Sequence, residues 1–193
     1  MPKVVDSGLQ RCEIRQAARR VFARRGVAAT GLAQVAEAAG MGRSSLYHYY
    51  PDRTALVRDL LRDLLAEEEA LFVGVASGEG SPMARLERLA AGMPALFGEW
   101  AMVGRLLLEL RSSDARLFRP YLRRMRDALA ALIGEGQRVG EMDPELDPRL
   151  ASATLIGVID GILLQIIVDP AGFADRGALL EGLTRAMRKM VQP

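Results

Sequence analysis

A chain of 193 residues, half of them apolar, is long enough to bury a sizeable core unaided by staples. Its single cysteine and single histidine exclude an internal disulfide framework and a His/Cys metal cluster within one chain. The net charge of +2 conceals a split: residues 1–53 hold nine Lys/Arg against four Asp/Glu, leaving −3 for the remainder, so an anionic partner, nucleic acid or a lipid surface, is expected for the N-terminal end alone.

Abundant Ala, Leu and Arg, with only 5% aromatic residues, predict an all-helical fold of about nine helices. The opening stretch "MPKVVDSGLQRCEIRQ" lacks the apolar core of a signal peptide, so the protein is expected in the cytoplasm, which suits an unpaired Cys12 on the first helix. That helix is predicted from Leu9 to Arg25, with Ile14, Ala17, Ala18, Val21 and Phe22 at helical spacing, arginines on the other faces and Gly26 as its stop. A second helix, about Gly31 to Ala39, is capped by either Thr30 or Gly31 and ended by Gly40. A third runs from about Arg43 to Tyr49, where Pro51 forbids continuation.

Asp52 is expected to cap a long fourth helix over Arg53 to Ala76, which "SGEGSP" breaks. Further helices are predicted over 82–100, 101–111, 115–138, 147–168 and 176–191. The most apolar stretch, Leu155 to Val168, is too short for a span and carries Asp160 and Gln165, so it reads as a buried helix, not a membrane segment.

Two helices joined by the glycine-bearing turn Gly40-Met41-Gly42 have the layout of a helix-turn-helix unit. Ala36 and Ala39 permit close crossing, while Met41 and Leu46 fill the angle between the helices, so the other side chains of the third helix face outward. That arrangement accounts for the polar crowding of "GRSSLYHYY". Arg43, in the first turn, suits a guanine edge or a phosphate; Ser44 and Ser45 suit either target; Tyr47 and His48 reach the backbone. Thr30 and Arg53 are expected to add backbone donors on the same side, giving steep salt dependence.

The segment "TGLAQVAEAAGMGRSSLYHYYPDRTALV", preceded by "VFARRGVAAT", resembles the DNA-binding domain of the tetracycline-repressor-like (TetR/AcrR) family over about residues 9–57. The resemblance implies that Thr30, Arg43, Ser45, Tyr47, His48 and Arg53 fall where that family contacts DNA. It further implies a DNA-binding domain over 1–52 and a helical ligand-binding and dimerisation domain over 53–193. Three residues depart from the family pattern: Gly42 stands for a frequent Ser, Ser44 for a frequent Gly, and Tyr50 for the usual Phe, adding a hydroxyl that must find a partner.

In the larger domain, Ala153, Gly157 and Gly161 recur every four residues, as do Ala178, Gly182 and Ala186. Such small-residue grooves admit the ridges of another helix. Together with Asp160 and Leu164 they are expected to form a two-fold interface between copies, a reading the resemblance shares; Asp160 must hydrogen-bond within the dimer or line a cavity. By the same resemblance, Phe72, Met93, Phe97, Trp100, Met102, Phe118, Tyr121 and Met125 are candidate walls of a pocket for a mostly hydrophobic effector. The expected function is a homodimeric repressor released from a palindromic duplex by that molecule. No cofactor, metal or membrane partner is implied, and one His and one Cys supply no nucleophile, base and orienter set for an enzyme.

Overall fold

A computed structural model describes residues 7–92, 106, 116, 118–169 and 171–193. These form helices α1 (Ser7–Arg25), α2 (Leu32–Ala38), α3 (Arg43–Tyr49), α4 (Arg53–Ala76), α5 (82–92), α6 (Phe118–Arg138), α7 (Pro148–Val168) and α8 (Arg176–Val191). There is no strand among the described residues. The helix expected over 101–111 lies outside them except for Leu106, which is helical and buried. Two compact units divide the described chain: residues 7–64 with Leu106, and residues 65–92, 116 and 118–193. Helix α4 belongs to the first by its N-terminal half and to the second by its C-terminal half.

In the first unit α1 buries Ile14, Ala17, Ala18 and Phe22, a stripe at helical spacing narrow enough to leave the arginines outside. Gly26 ends it with φ +82°, its amide donating to the Phe22 carbonyl at 2.9 Å. Gly31 is the N-cap of α2, and its amide donates to Gln34 Oε1 at 2.9 Å. At the other end Gly40 takes φ +67°, a left-handed value that a side chain resists. Its amide donates to the Glu37 carbonyl and that of Met41 to Ala36, both at 3.0 Å. This pair of bonds is a Schellman motif, and it turns the chain sharply into α3. Asp52 accepts from the Ala55 amide at 2.7 Å, the cap expected for α4.

The second unit is built on α6, whose buried stripe is Tyr121, Met125, Leu129, Leu132, Ile133 and Gly136. Gly136 has to be small because a Cβ there would lie 2.6 Å from the Met142 thioether. Arg85, only 4% exposed, donates to the Ala76 carbonyl at 3.0 Å and pairs with Glu135 at 2.5 Å, joining the end of α4 to α5 and α6. Helix α7 starts at Asp147, whose carboxylate accepts from Arg149 and Leu150 amides, and α8 at Asp175, which accepts from Ala178. One side of α7 buries Leu155, Ile156, Leu163 and Ile166. The other leaves Leu150, Ala153, Gly157, Leu164 and Val168 exposed. Among the described residues α7 is the helix long and apolar enough to cross a membrane, by length and composition only.

Candidate nucleic-acid interface and interior cavity

Leu46 anchors α3, with none of its surface exposed. Helical spacing then puts Arg43, Ser44, Tyr47 and His48 on one outward face, with Ser45 on its flank, and all five are exposed, Tyr47 by 47%. A short helix presenting a guanidinium, two hydroxyls, a phenol and an imidazole can donate to both phosphate oxygens and base edges.

Thr30 and Arg53 do something other than the outward donation expected of them. Thr30 is 1% exposed, and its hydroxyl donates inward to the Gly26 carbonyl at 2.8 Å. Arg53 donates from Nε to the Thr30 carbonyl at 2.9 Å and from Nη2 to the Val27 carbonyl. The α1–α2 connection carries carbonyls that no helix satisfies, and these two side chains satisfy them, so their polar groups fix the loop.

The tyrosines that end α3 turn inward. Arg11 lies over the rings of Tyr50 and Tyr49, at 5.0 and 5.9 Å from their centroids, within reach of a cation–π attraction. The Tyr50 hydroxyl donates to Asp59 on α4 at 2.5 Å, and Asp59 also pairs with Arg15 Nη1 at 3.2 Å. Arg15 Nε in turn meets Asp63 at 3.0 Å. Burial first, and the carboxylate of Asp59 second, push the Tyr50 phenol up to about 12. The network ties α1, the end of α3 and the first half of α4 together. Tyr50→Phe is expected to lower stability by about 1.5 kcal/mol, the value of a hydrogen bond to a charged group, read as a shift in the urea midpoint.

The second unit holds a cavity of about 270 Å³, partly open to solvent, whose walls are mostly apolar. Helix α4 contributes Glu68, Leu71, Phe72 and Val75; α5 contributes Arg88, Leu89 and Gly92; α6 contributes Tyr121, Leu122 and Met125; α7 contributes Ile156, Ile159 and Asp160. Burial first, and then Glu68, to which its hydroxyl donates, push the Tyr121 phenol well above its usual range. Desolvation raises the carboxyl of Asp160.

The family model described as "Bacterial regulatory proteins, tetR family" matches residues 14–60, and that of the "BetI-type transcriptional repressor, C-terminal" matches residues 111–191. The chain belongs to the TetR family. The HTH-type transcriptional regulator TtgR of Pseudomonas putida is 25% identical to it, over 93% of this chain and 94% of TtgR. BetI of Serratia proteamaculans is 28% identical, over 93% and 91%. A solved TetR/AcrR-family regulator from Thermobifida fusca shares the fold with a TM-score of 0.76 at 24% identity, covering 92% of this chain and 96% of that one. The relatives are transcriptional regulators and not enzymes, and so is this TetR-family chain, with a DNA-binding domain at its N-terminal end.

Of the side chains expected to line an effector pocket in this TetR-family protein, Phe72, Tyr121 and Met125 face the cavity. Phe118 is half-buried and is not part of its wall, and Met93, Phe97, Trp100 and Met102 lie outside the described residues. Asp160 lines the cavity and is itself exposed, not buried as the sequence led one to expect. Sequence reasoning passed over Glu68, Leu71 and Val75, although with Phe72 they repeat at three- and four-residue intervals on α4. Ala153, Gly157, Leu164, Ala178, Gly182 and Ala186 are exposed and Gly161 is half-buried, with open space above all three glycines.

Proposed function

We propose that this TetR-family regulator is a cytoplasmic homodimeric repressor that reads a palindromic duplex with α3 and leaves it when a small, mostly hydrophobic molecule fills the cavity. One observation carries the reading: α4 bears both ends of the coupling. Its first half supplies Asp59 and Asp63, which hold the helix-turn-helix, and its second half supplies Glu68, Leu71, Phe72 and Val75 to the cavity wall. An effector that favours one position of α4 therefore alters the presentation of α3, and a dimer then loses simultaneous engagement of two half-sites.

The dimer follows from α7 and α8. Leu164 is 61% exposed and Val168 76%, beside small residues that leave a groove, and an apolar helix face of this kind is stable in water when a second copy covers it. The test is selection of bound duplexes from a random pool by the full chain. Two inverted half-sites are expected, with centres about 34–36 Å apart or somewhat more. Recovery of no common sequence, or of a single unrepeated half-site, would refute the palindromic reading.

A further inference from the structure

Among apolar residues the cavity wall carries three charged ones, Glu68, Arg88 and Asp160. Glu68 on α4 and Asp160 on α7 both line it, with the buried Tyr121 ring among the same wall residues. The guanidinium of Arg88 in the same wall donates to the Glu79 carbonyl, and the neighbouring Glu69 pairs with Arg124. Glu68 accepts from the Tyr121 hydroxyl, which holds its carboxylate at the cavity wall. Asp160 has no hydrogen bond or ion pair among the described residues.

We infer that the effector is an apolar molecule carrying one protonated amine, with its tail among Leu71, Phe72, Met125 and Ile156 and its cation between Glu68, Asp160 and the face of Tyr121. This rests on the effector-cavity reading above and narrows it. A purely apolar ligand would displace the water that solvates the exposed Asp160 and put no donor in its place, and an anionic one would face two carboxylates; an ammonium supplies both a donor and the opposite charge. The Tyr121 ring adds an attraction of its own for an ammonium. A volume of about 270 Å³ sets the size at a small aryl or medium-chain alkyl amine.

The experiment is calorimetric titration of the full-length protein with octylamine, octanol and nonanoate, which share a tail and differ in head group. The amine is expected to bind about tenfold or more tightly than the alcohol, and the carboxylate more weakly than either. In Asp160→Asn the amine-to-alcohol ratio of dissociation constants should fall close to one, and Glu68→Gln should reduce it in the same direction. The ratio is internal to each variant, so a loss of stability common to both ligands does not imitate the effect; should Asp160→Asn not fold, Glu68→Gln carries the comparison. Equal or inverted affinities in the unaltered protein would overturn the cationic class while leaving the effector cavity standing. Failure of all three ligands to bind would overturn both, and an undiminished preference in the variants would remove the two carboxylates from the inference.

Discussion

Arg43→Ala is expected to weaken binding to the selected duplex by about 1–3 kcal/mol per half-site if the guanidinium reads a guanine edge, so that a two-site complex loses at least about thirtyfold in affinity. The side chain is exposed on the first turn of α3 and leaves no cavity when removed, so stability should stay within about 0.5 kcal/mol of the parent. Tyr47→Ala should also weaken binding, but evenly across sequences, as loss of a backbone contact does. Fluorescence anisotropy titrations against the selected duplex and a scrambled one separate the two cases. If Arg43→Ala lowered both affinities alike and flattened the salt dependence, Arg43 would be a phosphate contact. Undiminished affinity in both variants would exclude α3 as the docking face.

Leu46→Ala carries the second large effect, a loss of about 2–5 kcal/mol from the helix-turn-helix. Leu46 is fully buried, and α3 has only seven residues, so this side chain is the main apolar anchor of the whole helix. A helix that short has negligible stability of its own in water. Truncation should therefore loosen α3 from α2 and abolish duplex binding, while Leu46→Met, which nearly conserves volume, should cost less than about 1.5 kcal/mol. Urea unfolding followed by circular dichroism, alongside the anisotropy titration, distinguishes loss of the reading head from loss of a contact. A Leu46→Ala protein with unchanged midpoint would show that α3 is held by its turn and by Tyr50 instead.

These two residues were legible in sequence because their signals are local. A glycine after an Ala-rich helix predicts the left-handed turn, and a polar run interrupted by one leucine predicts an outward helix with one anchor. The cap at Asp52 and the ends of α4, α7 and α8 are of the same kind. The Tyr50 hydroxyl needed a partner on general grounds, but nothing nine residues away marked Asp59 as that partner. Thr30 and Arg53 were harder to read, because a polar side chain beside a helix start donates equally well to a phosphate or to a stray carbonyl, and here the carbonyls of Gly26, Val27 and Thr30 accept from them. Arg85 gave no signal, since one arginine among 26 basic residues looks like any other until three helices close around it. Cavity walls were partly visible as aromatics and methionines and in Asp160; Glu68 was hidden in the run Glu67 to Glu69, which reads as a solvated face.

The clamp formed by Arg85 sets the mechanics of α4. With the carbonyl of Ala76 gripped by Arg85, and Arg85 gripped in turn by Glu135, the C-terminal end of that helix is fastened within the second unit. Phe72 and Val75 stand within about one turn of that clamp, so fraying of the helix end stops short of the cavity wall they form.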